Sequence, residues 1–334
     1  MTLRDALYAC DTDTIVTYFD ENAAVKLPGE LLATDGDTTA FKQAFFDAVD
    51  NVYDYQGTLV IDGRKDGTAA QAKLKLCDER IVAYYQETPR NKNRFRLDLS
   101  FCGTLYEGFQ RQPKKRTIQG ELESALAGLI GKPLDIHPAS RTDAGVHAIH
   151  HVAHVDIDTP LSPEDIKRLL NRMLPDDIRV IACTRVPGVF HARYDATGKT
   201  YRYRILHVDD PFRAHLTMRA DKIDFDMLKP ILLRYVGIHD FQNFAKSTDK
   251  DTVRTIHRID VRQDNDETII DIQGEGFLRH MVRMMIARAL DDYHKSKDTI
   301  TATLRNPGKP IPKPLVPASG LHLVSVHYEP IHTT

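Results

Sequence analysis

From Arg94 the chain alternates in character. Phe95, Leu97, Leu99 and Phe101 are apolar, and Arg94, Arg96, Asp98 and Ser100 between them are polar, which predicts a strand with one buried face. Leu122, Leu126, Leu129 and Ile130 then follow helical spacing and stop at Gly131, a residue that ends helices readily. A second helix is predicted at Ser162-Pro163-Glu164-Asp165: a capping hydroxyl, proline at the first helical position and acids in the first turn. Its stripe is Ile166, Leu169, Leu170, Met173 and Leu174. The pattern restarts near residue 199. Tyr201, Tyr203 and Ile205 alternate with Arg202 and Arg204; a helix with Leu228, Ile231, Leu232 and Tyr235 follows, then a strand at Thr268–Gln273 and a helix from Leu278. The proline-rich stretch 307–317 predicts an extended loop before a closing strand, Leu321–Tyr328. The class predicted is α+β: two similar halves, 94–198 and 199–330, sharing one mainly antiparallel sheet.

Residues 1–88 have a different texture. Phe41, Ala44, Phe45, Ala48 and Val49 have helical spacing, and short strands are predicted at Thr58–Ile61, Lys73–Cys77 and Ile81–Tyr85. This predicts a small α+β module of its own, without a chemical motif. Pro89-Arg90-Asn91-Lys92-Asn93-Arg94 is polar, basic and turn-prone, as a linker would be.

Charge changes at the same place. Residues 1–88 hold 8 Lys and Arg against 16 Asp and Glu, a net of −8; the remainder holds 37 against 31, a net of +6. The overall net charge of −2 therefore hides a mildly basic body with an acidic appendage, and a basic body is suited to nucleic acid. No apolar run is long enough to span a membrane. The start, Met-Thr-Leu-Arg-Asp-Ala-Leu, lacks the basic and apolar blocks of a secretory signal. Cys10, Cys77, Cys102 and Cys183 are too far apart for a metal knuckle or a disulfide framework, which places the chain in a reducing cytoplasm.

The chemistry concentrates at Ser140-Arg-Thr-Asp-Ala-Gly-Val-His147. Asp143 stands beside a fixed cation, Arg141, and a small, turn-prone Ala-Gly pair; a carboxylate so placed suits a nucleophile or a general base. Read alone, the same residues also fit a capped surface turn with a weak ion pair. Arg283 lies within Met281–Ile286 on a mostly apolar helical stripe with Arg279, Ile286, Ala287 and Leu290, so it must snorkel or find a carboxylate; Asp143 is the candidate partner. Tyr201 is a core aromatic or a stacking platform for a flipped base. Arg202 and Arg204 face the other way, toward phosphate or as solvated edge residues. His147, His150, His151 and His154 have spacing that on a helix gathers zinc, as in a metallohydrolase, but no carboxylate lies between them to act as base, and a strand would send them to different faces. Gly274-Glu-Gly276 is too short for a phosphate loop, so neither metal nor nucleotide cofactor is expected.

Arg141-Thr-Asp-Ala-Gly-Val-His-Ala148 resembles the signature of the TruA family of tRNA pseudouridine synthases. Further blocks are similar in the family's order: Gly108-Phe-Gln-Arg-Gln112, Phe190-His-Ala-Arg193 with Tyr201-Arg-Tyr203, His239-Asp-Phe241 with Arg254-Thr-Ile256, Gly276–Arg283, and Pro317-Ala-Ser-Gly-Leu321. The resemblance covers residues 94–328. It implies two fused ferredoxin-like halves, no cofactor or metal, a homodimer, and isomerisation of uridine to pseudouridine in the anticodon stem-loop of tRNA, at positions of the 38–40 type, with the base flipped out. It implies Asp143 as the catalytic aspartate, attacking ribose C1′ or the base or removing the C2′ proton. Tyr201 is implied as the active-site tyrosine that helps remove the C5 proton, and Arg283 as the aspartate's ion-pair partner. Arg141, with Thr142, Gln110, Arg111, Arg202, Arg204 and Arg279, is expected to hold RNA. The chain departs from the family pattern where Tyr-Asp-Gly becomes Phe101-Cys102-Gly103, where tryptophan becomes Phe109, and where glutamine becomes His151. A catalytically silent RNA-binding or chaperone protein on the same fold is the rival reading. Residues 1–88 lie outside the resemblance and could recruit a protein partner, limit RNA access or stabilise the fold.

Overall fold

The computed structural model describes residues 1–27, 30–33, 42, 45–55, 58–66, 68–77, 80–87, 93–188, 190–246, 251–308 and 311–328. Contacts divide the chain into two units. One holds Met1–Arg94 with 156–158 and 186–190; the other holds the rest.

In the first unit, short helices α1 (Leu3–Tyr8) and α2 (Thr12–Val16) precede six strands. These are β1 (Phe19–Leu27), β2 (Glu30–Ala33), β3 (Ala48–Tyr55), β4 (Thr58–Lys65), β5 (Thr68–Cys77) and β6 (Arg80–Glu87), in sheet order β2-β1-β6-β5-β4-β3. Leu7, Ile15, Phe45, Phe46, Val52, Ile61, Leu74 and Ile81 form its core. The helix expected over Phe41–Val49 is corrected in its second part; Lys42 is helical. Phe41 and Ala44 lie outside the described residues, Phe45–Asp47 is a bend, and Ala48 begins β3, where Val49 pairs with Gly63 and Val52 with Ile61. Tertiary pairing of β-branched residues overrides the helical spacing here. Within the expected linker, Pro89–Lys92 lies outside the described residues, and Arg94 is no linker residue. It starts β7 (Arg94–Phe101) and makes a two-pronged ion pair with Asp156 at 2.7 and 2.9 Å.

The second unit is built twice on one plan. β7, α3 (Ile118–Ile130), β8 (His137–Pro138), β9 (His147–Asp156), α4 (Pro163–Met173) and β10 (Ile178–Val186) make the first half. β11 (Gly198–Leu206), α5 (Phe225–Leu233), β14 (Val253–Asp264), β15 (Glu267–Gly274), α6 (Met281–Lys295) and β16 (Leu321–His327) make the second, with the short strands β12 (Met218–Arg219) and β13 (Gly237–Asp240) added and the small helix α7 (Thr299–Arg305) between α6 and β16. Each half places its four main strands in the order fourth-first-third-second: β10-β7-β9-β8 and β16-β11-β15-β14, the ferredoxin-like arrangement, in one ten-stranded mixed sheet. Gly131 ends α3 at φ 78° and Ser162 caps α4, as their sequence signals predict. The helix expected from Leu278 begins later. Leu278–His280 is a turn, so Arg279 does not share the helical stripe of Arg283.

The two halves join where β9 runs parallel to β16, with His147 opposite His322 and Ala148 opposite Leu323. The two imidazoles stack at 4.7 Å, and both are buried. His147 Nδ1 accepts the Gly103 N–H at 3.1 Å, while His322 Nε2 lies 2.8 Å from the Leu216 carbonyl. Burial, above all, holds each ring's pKa down to about 4, against an ordinary 6.5. Both are therefore neutral when folded and take up protons on unfolding between those values. Their neutral packing contributes stability above pH 6.5, and that contribution is lost as pH falls toward 4. The melting temperature of this unit should accordingly drop by roughly 5 °C or more between pH 7.5 and pH 5. In His322→Gln, which keeps a donor for Leu216 but does not titrate, differential scanning calorimetry should record a shallower fall; an identical pH dependence would place the acid sensitivity elsewhere.

Candidate active site

Asp143 sits in a tight loop between β8 and β9 whose shape is set by its neighbours. Gly145 takes φ +77°, and its N–H donates to the Tyr106 carbonyl at 3.2 Å, while Val146 N–H closes the turn on the Asp143 carbonyl at 3.1 Å. From the other side Gly108, at φ +93°, lies against the loop backbone; a Cβ there would stand 2.6 Å from the Thr142 carbonyl. Phe109 N–H donates to that same carbonyl at 3.1 Å. The Gly-Phe block is thus the backbone brace of the signature loop.

The carboxylate is shared by two side chains from the second half. Arg283 Nη1 is 3.6 Å from Oδ2, and His280 Nε2 is 3.4 Å from Oδ1. Both partners are nearly buried, at 12% and 11% side-chain exposure, against 25% for Asp143, which keeps a face open. Arg283 is fixed from behind, its Nε donating to the Val316 carbonyl at 2.9 Å. Tyr201, on β11, is buried, meets Phe277 edge-on at 5.1 Å, and places its hydroxyl 3.2 Å from Ser140 Oγ. Burial pushes that hydroxyl up to about 12; Ser140 pulls the other way and the Asp143 charge adds to the rise. Tyr201 is a neutral phenol at pH 7.

The remaining expected residues divide. Arg141, Gln110, Arg111 and Arg279 are exposed, although Arg111 also pairs with Glu123 at 2.9 Å. Thr142 is buried, and its carbonyl serves the brace. Arg202 and Arg204 are not brought to the site. They point to the sheet face opposite Tyr201 and Tyr203, where Arg202 makes a two-pronged pair with Asp271 (2.7 and 2.9 Å) and Arg204 with Glu267 (both 2.8 Å). Cross-strand carboxylates hold them in place of phosphate. The four histidines lie on a strand and go to separate contacts: His147 to His322, His150 to Asp98 at 2.6 Å, His151 to Phe109, and His154 to His137. Among the described residues no group of three or more His, Cys, Asp or Glu could hold a metal ion.

Sequence reasoning missed Ser140 and His280. Both lie inside the quoted motifs; His280 is three residues from Arg283, but its spacing carried no signal because it precedes the helix. The three ring departures turn out to touch. Phe109 stacks on His151 at 4.5 Å, and Phe101 lies 6.1 and 5.8 Å from the two. His151 Nε2 reaches the Ser140 carbonyl at 2.9 Å, so this cluster supports the serine that meets Tyr201.

A carboxylate held by one guanidinium and one imidazole, beside a protonated phenol, is equipment for carboxylate-driven transfer or isomerisation. The family comparison narrows that class. The chain belongs to the tRNA pseudouridine synthase family, whose model matches residues 99–195 and 231–329. It is 37% identical to tRNA pseudouridine synthase A of an Exiguobacterium species over 244 residues, 71% of this chain and 99% of the relative. It is 36% identical to the Limosilactobacillus reuteri protein of the same name (70% and 96% covered) and 35% identical to that of Maridesulfovibrio salexigens (70% and 90%).

Gly108→Ala tests the brace. The added Cβ meets the Thr142 carbonyl in a backbone conformation that disfavours it, so stability should fall by about 2 kcal/mol or more. Turnover should fall further, because Asp143 shifts with Thr142. Denaturant titration and single-turnover kinetics measure the two; full activity in Gly108→Ala would release the loop from this dependence.

Proposed function

We propose that this protein isomerises uridine to pseudouridine in the anticodon stem-loop of tRNA, with Asp143, Tyr201 and Arg283 as its chemical centre. The observation that supports this most is the meeting of the signature-loop carboxylate with Arg283 across the two halves, at 3.6 Å. The bond from N1 to C1′ breaks, the uracil turns, and C5 bonds to C1′. Asp143 supplies the negative charge that starts the reaction, and Arg283 supplies the counter-charge that aims it. A uridine inside an RNA helix must be extruded to reach it. Arg141, two residues before Asp143, and Arg279, four before Arg283, are both exposed and hold the flipped nucleotide's phosphates, with Gln110 and Arg111.

The state of Tyr201 refines its role. With its hydroxyl pushed up to about 12, a free phenolate is costly at pH 7. Tyr201 takes the C5 proton while its own passes to Ser140 Oγ, 3.2 Å away, as the half-buried Ser140 hydroxyl releases its proton to solvent; N1, freed from C1′, takes up one proton in return. Family resemblance further supports a homodimer acting in the cytoplasm. The acidic N-terminal unit, outside the family match, serves as an accessory module that contacts a protein partner or limits RNA access.

Asp143→Asn keeps shape and hydrogen bonding but removes the charge. Tritium release from tRNA carrying 5-tritiated uridine should fall below detection, while tRNA affinity stays near wild type because phosphate contacts dominate it. Tritium release by Asp143→Asn would sink the proposal. Tyr201→Phe should bind tRNA as wild type does and stall at the late proton transfer. Wild-type turnover in Tyr201→Phe would reassign that proton.

A further inference from the structure

His280 occupies a position that neither the helix nor the backbone recommends. It precedes α6 with φ 65° and ψ 1°, the left-handed region, which costs a residue bearing Cβ roughly 1–2 kcal/mol. Glycine would sit there without strain, and Ser, Thr or Asp would cap the helix; His280 makes no side-chain cap. What the strained turn achieves is direction. It sends the imidazole to Asp143 Oδ1 at 3.4 Å, while Arg283, one helical turn on, takes Oδ2 at 3.6 Å.

We propose that His280 is a positioning residue for Asp143: its imidazole, with Nε2 3.4 Å from Oδ1, stands against one carboxylate oxygen and limits the rotation of the carboxylate, while Arg283 supplies the counter-charge at the other. This rests on Asp143 being the reacting carboxylate. The division of labour has a chemical reason. Two full cations, one on each oxygen, would orient the carboxylate but would also quench its nucleophilicity and basicity. One cation and one neutral donor orient it and leave charge free to react.

The charged groups facing His280 agree with a neutral ring. Burial acts first and lowers its pKa; Arg283, Arg279 and Lys246, the last from the turn after Gln242–Phe244, lower it too, and only Asp143 raises it. The balance is downward, so the ring is uncharged at pH 7 and charges only below the ordinary histidine range. There a second positive charge arrives beside Asp143, and turnover should decline.

The test uses the full chain, tritium release from 5-tritiated tRNA, tRNA binding and thermal melting. His280→Gly removes the imidazole and relieves the backbone. Its melting temperature should equal or exceed that of wild type, with KM within about threefold. Its kcat should fall roughly 10- to 100-fold, the scale of a misaligned reacting group. His280→Asn tolerates the left-handed backbone and keeps a neutral donor, so kcat should return to within about fivefold of wild type. Its acid limb should be weaker, because asparagine does not titrate. Wild-type kcat in His280→Gly overturns the proposal, as does a loss that His280→Asn restores in no part. Asp143→Asn is assayed in parallel: if it is inactive while His280→Gly is fully active, only the role of His280 fails; if it still releases tritium, the reading of Asp143 fails first.

Discussion

The parallel join of β9 to β16 is the constraint on which the site depends. His147 opposite His322 and Ala148 opposite Leu323 unite the two ferredoxin-like halves, and the Asp143–Arg283 pair draws one partner from each. Asp143 belongs to the loop entering β9, four residues before His147. Tyr201 stands on β11, directly paired with β16, and Arg283, in the first turn of α6, donates its Nε–H to the Val316 carbonyl on the segment leading into β16. A shift at the join would therefore separate Asp143 from Arg283. A stacked pair of neutral, buried histidines at that join ties the geometry of the site to their protonation.

Charge is placed with similar economy. The +6 excess of residues 89–334 suggested a diffusely basic surface, but several arginines never face outward freely. Asp271 engages Arg202 and Arg262, and Glu267, with only 5% of its side chain exposed, engages Arg204 and Arg213. The Arg202, Arg204 and Arg262 pairs cross neighbouring strands and stiffen the sheet face opposite Tyr201, while Arg213 joins Glu267 from the turn before Ala214–Leu216. Arg141 and Arg279, in the segments that carry Asp143 and Arg283, are left exposed. Net charge was a weak guide because most of it is cancelled locally.

Much of the fold was legible because its signals are local. The alternation at Phe95–Phe101, the Ser162-Pro163 start and the Gly131 stop each involve a few adjacent residues and need no partner to be read. The end of the helix expected at Phe41–Val49 failed for the opposite reason: spacing alone does not separate a helix from a strand when a neighbour such as β4 is there to pair with Ala48 and Val49. The Asp143–Arg283 pair was legible through resemblance, since 140 residues separate the partners in the chain and no periodicity links them. The fate of Arg202 and Arg204 was not legible, because their carboxylates lie more than sixty residues away on β15.

The departures at Phe101, Phe109 and His151 argue that position, more than residue identity, is what the site demands. Drawn from two segments of the chain, they form one packed group, with His151 stacked flat on Phe109 and its Nε2 on the Ser140 carbonyl. Burial holds His151 near a pKa of about 4, so the ring is neutral and serves as a donor, as an amide would. The change is thus confined to how the space is filled. Phe109 still braces Thr142 through its backbone, which no side-chain exchange removes, and Ser140 still presents its hydroxyl to Tyr201. The group that touches the chemistry is insulated from the substitutions behind it, provided those substitutions come as a set.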